Sequence, residues 1–237
     1  MKSYNIYGII LSVQGNTMCD RKRGNSMFIG YYNIANLVTL SGLMFSAGAC
    51  FCSLSHDFKS AVALFLCACF CDVFDGRIAR SLQRTKVEKT FGVQIDTVCD
   101  MVSFGFTPVV IGYSCFDNPS PYLLMVFFFF VATAGIRLAY FNTEAIEKND
   151  NMEMHHYTGL PVPASCIMVP ALLIVHHFIQ DDTVAQIIFA VTYALVGCAF
   201  IGNFKIKKFG TLPTILFLLV VLGLIAVSLF TDWLVVV

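Results

Sequence analysis

Apolar stretches long enough to cross a hydrocarbon layer succeed one another along most of the chain, at roughly 34–54, 59–80, 93–115, 121–142, 160–178, 183–202 and 211–235. Crossing takes about 20 predominantly apolar residues in a helix, because backbone polar groups in lipid must be paired within their own segment. A chain written this way is expected to be an all-α integral membrane protein. The expected architecture is a bundle of six core transmembrane helices plus one additional C-terminal span. Composition agrees: of 237 residues, 57% are hydrophobic and 13% charged, and 23 are phenylalanine. Soluble domains carry roughly 25% charge, so the solvent for this surface is lipid. Formal net charge is zero, which gives nucleic acid no electrostatic footing.

Lysine and arginine in the short connections set an orientation. Lys2, Arg21, Lys22 and Arg23 precede the first span, Arg80, Arg84, Lys86 and Lys89 fall between the second and third, Lys148 between the fourth and fifth, and Lys205, Lys207 and Lys208 between the sixth and seventh. The alternate connections hold only Lys59. The N-terminus and the 80–92 connection are therefore expected in the cytoplasm, and the C-terminus outside if 211–235 crosses once. Residues 1–26 lack the basic flank and cleavage site of a secretory signal. They read as an N-terminal extension, interfacial in character, or as the product of a misassigned start with Met27 as the true one. The catalytic membrane domain is expected over 27–202, succeeded over 203–237 by a basic loop and a C-terminal transmembrane helix. Short length and no targeting signal point to a bacterial plasma membrane.

Ten cysteines are present, without a C-x-x-C pair. Cys67, Cys69 and Cys71 step by two, about 200° apart on a helix, and cannot converge on one metal. They read as small apolar residues of a reducing compartment. The adjacent pairs His155–His156 and His176–His177 have diverging rings and read as interfacial polar residues.

Charge inside a span is costly, so each such residue marks a site. Asp72 and Asp75 stand near the cytoplasmic end of the second span, Asp96 and Asp100 near the cytoplasmic start of the third. The chain reverses between them, so all four lie at similar depth. Spacings of three and four put each pair on one helix face. Four carboxylates converging in a low dielectric repel by several kcal/mol, which divalent cations remove. All-oxygen ligands suit Mg²⁺ or Mn²⁺. Gly76 and Ala79 share the face of Asp72 and leave a groove, and Arg80 offers a phosphate partner one turn on. The composite suits a pyrophosphate substrate whose other end lies in lipid. The competing reading makes the aspartates packing partners of Arg77, Arg80 and Arg84, a role that needs neither four carboxylates nor the small residues.

Residues 71–80 read Cys-Asp-Val-Phe-Asp-Gly-Arg-Ile-Ala-Arg, and residues 92–100 read Gly-Val-Gln-Ile-Asp-Thr-Val-Cys-Asp. Together they resemble the signature of the CDP-alcohol phosphatidyltransferase family, D-x-x-D-G-x-x-A-R and then G-x-x-x-D-x-x-x-D. Eleven residues separate Arg80 from Gly92, where the family has about eight or nine, and a longer cytoplasmic loop is expected there. Residues 100–105, 137–143 and 159–164 resemble the D-x-V-S-F-G, R-L-A-R-F-N-T and G-L-P-x-P-A stretches of the family's phosphatidylserine synthase branch, with Tyr140 in place of an arginine. Asn36 and Thr39 resemble its N-x-x-T element near the nucleotide, with Ala35 where proline often stands.

The resemblance implies a homodimeric membrane enzyme that uses CDP-diacylglycerol from the bilayer and L-serine from the cytosol. Asp72, Asp75, Asp96 and Asp100 would ligate two Mg²⁺ or Mn²⁺ ions, with Asp100 also the general base. Asn36, Thr39, Gly76, Ala79, Arg80 and Gly92 would hold CDP-diacylglycerol. Arg137 and Asn142 would hold the acceptor, Arg137 taking the serine carboxylate or a substrate phosphate, or else bridging structurally to an aspartate. The same chemistry on glycerol 3-phosphate or inositol phosphate stays open. So does a transporter, although no internal repeat is present and the acids cluster at one interface.

Overall fold

The computed structural model describes residues 30–147, 156–179, 181–207 and 223. Residues 1–26, the 211–235 span as a unit, His155, Lys148 and Lys208 lie outside the described residues. The chain divides between Tyr31 and Tyr32, and the second unit carries the helices and the site.

This unit is helical. Helix α1 runs Ile34–Leu54 and α2 runs Phe58–Ser81. Helix α3 covers Lys86–Asp100, continues through a π-helical segment Met101–Phe106, and passes into α4, Thr107–Ser114. Helix α5 is Pro121–Glu147, α6 is Ser165–Phe178 after a 3₁₀ turn at Val162–Ala164, and α7 is Asp182–Ile201. Among the described residues, four helical segments are long and apolar enough to cross a membrane: Ile34–Leu54, Lys86–Ser114, Pro121–Thr143 and Asp182–Ile201. Helix α2 has the length but carries Lys59, Asp72, Asp75, Arg77 and Arg80. Helix α6, at 14 residues, is short.

Side-chain caps fix where these helices begin. Asn33 accepts from the Asn36 amide at 2.9 Å and Asp57 from the Ser60 amide at 3.1 Å. Thr85 and Glu88 form a reciprocal capping box: the Thr85 amide donates to Glu88 at 2.8 Å and the Glu88 amide to Thr85 at 3.3 Å. Each such cap is worth about 1 kcal/mol. The Thr85 box overturns the long 80–92 loop expected from the sequence. Only Leu82–Thr85 connects α2 to α3, and Lys86 and Lys89 ride on the first turns of a helix.

Beyond Asp100 the helix widens. Pro108 has no N–H to return to the preceding turn and its ring crowds that turn's carbonyls. The Thr107 hydroxyl instead reaches the Val102 carbonyl at 3.0 Å, and Tyr193 of α7 donates to the Pro108 carbonyl at 2.5 Å. The widening therefore has a cause in Pro108 and a brace in Tyr193.

The interior is aromatic. Phe58, Phe65, Phe104, Phe127, Phe130, Phe189, Tyr193 and Phe200 are fully buried. Tyr193 meets the rings of Phe127 and Phe130 edge-on, with centroids 4.8 and 5.0 Å apart, locking α5 to α7. The outside is also apolar: Met44, Phe51, Met125, Phe128, Phe178 and Leu195 are exposed, as lipid-facing surfaces are.

The hydropathy pattern gives no sign of a short antiparallel ribbon in which His156–Thr158 pairs with Lys205–Lys207. Pairing extends past it, with the Gly159 amide donating to the Phe204 carbonyl at 2.8 Å and the Leu160 amide to Ala199 at 3.0 Å. Gly159 has φ +71°, and a Cβ there would stand 2.8 Å from the Gly202 carbonyl oxygen. Glycine is the residue that suits both constraints.

Candidate active site

Helices α2 and α3, joined by the four-residue connection, bring acidic positions from both to one place. Asp72, Asp96 and Asp100 each offer a carboxylate oxygen, and these atoms lie within 4.8 Å of one another. Asp72 and Asp100 are within hydrogen-bonding reach of each other. Oxygens bound to one hard cation at 2.0–2.6 Å cannot be more than about 5 Å apart, so the triplet meets the geometric requirement of a divalent-cation site. Its donor set, carboxylates only, meets the chemical one.

Asp75, expected as a fourth ligand, is placed differently. It is buried, and it accepts a 2.5 Å hydrogen bond from the Thr39 hydroxyl of α1. It lines a cleft between α1, α2 and α3, together with Ala35, Asn36, Thr39, Gly76, Ala79, Arg84, Gly92, Val93 and Asp96. Asp96 thus belongs to both the carboxylate triplet and the cleft. Five of the residues expected to hold the nucleotide, Asn36, Thr39, Gly76, Ala79 and Gly92, come together here.

Arg80 does not line this cleft. It is exposed, and its Nε donates to the Gly76 carbonyl at 3.0 Å, one turn back on its own helix. Arg84 lines it instead. Thr85-x-x-Glu88 marks a helix start directly after Arg84, but no sequence signal says that the Arg84 side chain enters the cleft.

Arg137 is buried in α5 and turned to backbone. Its Nε donates to the Leu160 carbonyl at 3.1 Å, its Nη2 to Gly159 at 3.2 Å, and its Cζ sits 3.8 Å from the centre of the Phe141 ring. It ties α5 to the turn before α6. Asn142 pairs with Thr97, the residue after Asp96, at 2.7 Å. His176 packs edge-on against Phe116, with centroids 5.1 Å apart. The described cysteines are free thiols.

The region that holds this geometry, residues 32–201, matches the family model described as CDP-alcohol phosphatidyltransferase. The chain belongs to that family. Curated relatives agree on one branch of it. The chain is similar to the CDP-diacylglycerol–serine O-phosphatidyltransferase of Helicobacter pylori (strain ATCC 700392 / 26695), 27% identical over 182 residues that span 75% of this chain and 73% of that one. It is 30% identical over 122 residues to the protein of the same name from Mycobacterium tuberculosis (strain ATCC 25618 / H37Rv), covering 51% of this chain and 42% of the relative. It is 26% identical over 136 residues to that of Bacillus subtilis (strain 168), covering 56% and 72%.

Proposed function

We propose that this family member transfers a phosphatidyl group from CDP-diacylglycerol to the hydroxyl of L-serine, giving phosphatidylserine and CMP. The observation that carries the reading is the sharing of Asp96 between a carboxylate triplet and the cleft lined by Asn36, Thr39, Gly76, Ala79 and Gly92. Agreement of the relatives' names on serine supports the acceptor.

Asp72, Asp96 and Asp100 would hold Mg²⁺ or Mn²⁺, as two ions, with Asp75 contributing from the cleft side. Bound there, divalent cations would offset the charge of the pyrophosphate and of the departing CMP. Asn36, Thr39, Gly76, Ala79 and Gly92 enclose the nucleotide, with Arg80 an outer phosphate partner. Asp100 takes the proton of the serine hydroxyl as that oxygen bonds to the phosphorus carrying diacylglycerol. The bond from this phosphorus to the CMP oxygen breaks in the same step. On the acceptor side, Asn142 offers its amide to serine, and Arg137 serves by fixing the Gly159–Leu160 turn, a role its two hydrogen bonds support.

The wider frame is proposed with it. The helical segments α1, α2, α3–α4, α5, α6 and α7 form a six-span catalytic domain over 27–202, with 211–235 an additional span. The lysine and arginine asymmetry supports aspartates at the cytoplasmic face of a bacterial plasma membrane, in a homodimer. The test is an acceptor panel on purified protein with CDP-diacylglycerol. CMP release is expected with serine. Release with glycerol 3-phosphate or inositol phosphate but not serine refutes the acceptor.

A further inference from the structure

We infer that Arg84 is a substrate-binding residue: its guanidinium, laid against Gly92 inside the cleft, takes a phosphate oxygen on the nucleotide side of the substrate. The inference rests on the phosphatidyl-transfer reading and adds to it a cation that lies outside the family signature, within the eleven-residue stretch between Arg80 and Gly92.

Three observations converge. Arg84 lines the cleft that also contains Asn36, Gly76 and Gly92. Its Nε is buried with no hydrogen-bond partner among the described residues, a costly state for a charged donor unless a ligand completes it. Its Nη1 lies 2.8 Å from the point where a Cβ on Gly92 would stand, with Asn36 Oδ1 3.6 Å from the same point. Glycine at 92 is thus what lets the guanidinium enter. The entry is anchored, because Arg84 directly precedes Thr85, whose capping box fixes the start of α3.

Under the transfer reading the occupant of the cleft is a nucleotide diphosphate, an anion for the cation to meet. Asp75 is held by Thr39, and Asp96 is shared with the carboxylate triplet. Gly92 stands one helical turn before Asp96, about 6 Å along the axis. A nucleotide phosphate seated near Asp96 is within the reach of a side chain that passes Gly92. Arginine presents a planar fork of donors suited to two phosphate oxygens.

The experiment uses the full chain in detergent, with serine-dependent CMP release as the readout and free CMP and cytidine as competitors. Arg84→Ala is expected to raise the CDP-diacylglycerol KM about tenfold or more, the loss of one charge-assisted hydrogen bond, while leaving the serine KM unchanged. Inhibition by CMP should weaken by a similar factor and inhibition by cytidine should not. Arg84→Lys should fall between, keeping charge and losing the fork. Gly92→Ala displaces only the end of a flexible side chain, so it should raise the same KM in the wild-type background and add less in the Arg84→Ala background. If Arg84→Ala does not fold, Arg84→Lys and Gly92→Ala carry the same comparison. An unchanged CDP-diacylglycerol KM overturns the inference, as does an equal loss of CMP and cytidine affinity. Failure of the wild type to release CMP refutes the transfer reading itself, which keeps the two outcomes apart.

Discussion

The Thr39 hydroxyl donates a 2.5 Å hydrogen bond to the Asp75 carboxylate, and so joins α1 to α2 inside the cleft. Both residues are buried. The bond fixes which way an expected metal ligand faces, and it ties the first span to the acidic helix at the depth where the chemistry is proposed.

Removing that hydroxyl tests the link. Thr39→Val keeps the shape and deletes the donor, leaving a buried carboxylate short of one partner at a cost of about 1.5–3 kcal/mol. A fall in thermal midpoint and a rise of about tenfold in the CDP-diacylglycerol KM are expected. Wild-type values for both would show that the bond orients nothing.

Asp72→Asn and Asp96→Asn each remove a charged oxygen from the triplet. Turnover should be lost at any concentration of Mg²⁺ or Mn²⁺. Thermal stability in chelator should be equal or higher, because one of three mutually repelling carboxylates is gone. Near-normal turnover in either variant at saturating metal would sink the metal-site reading.

Arg137→Lys separates positioning from direct contact. The substitution keeps the charge and loses the fork that spans the Gly159 and Leu160 carbonyls. A drop in thermal midpoint is expected, together with a serine KM raised about tenfold, while the CDP-diacylglycerol KM changes less. A changed serine KM without any change in stability would favour direct contact over positioning. No change in either would remove Arg137 from the acceptor side.

Topology gives a further check. A reporter within Lys205–Lys207 should appear in the cytoplasm, and one at the C-terminus should appear outside. If both report cytoplasm, 211–235 does not cross once.

Much of this site was legible because periodicity and charge in apolar spans are local signals. Asp72, Asp96 and Asp100 announced themselves by cost, and Gly76 and Ala79 by their shared face with Asp72. Three features escaped for a common reason: they depend on where a long side chain or a backbone turn reaches. Arg80 and Arg84 are both basic residues near one interface, and the sequence does not show that Arg84 lines the cleft while Arg80 turns back to the Gly76 carbonyl. Arg137 reads from the sequence as a cation inside a span, and what the sequence does not show is that its guanidinium reaches the Gly159 and Leu160 carbonyls and the Phe141 face. The widening at Met101–Phe106 stems from Pro108, but its brace comes from Tyr193, 85 residues along the chain.

The aspartate site is proposed to move phosphatidyl groups to serine. Its most direct test is to measure CMP and phosphatidylserine together, from CDP-diacylglycerol and isotopically labelled L-serine, in wild type and Asp96→Asn. Equal molar amounts of the two products are expected in the wild type, none without divalent metal, and none from the variant. CMP release without label entering lipid, or product formation by Asp96→Asn, would contradict it.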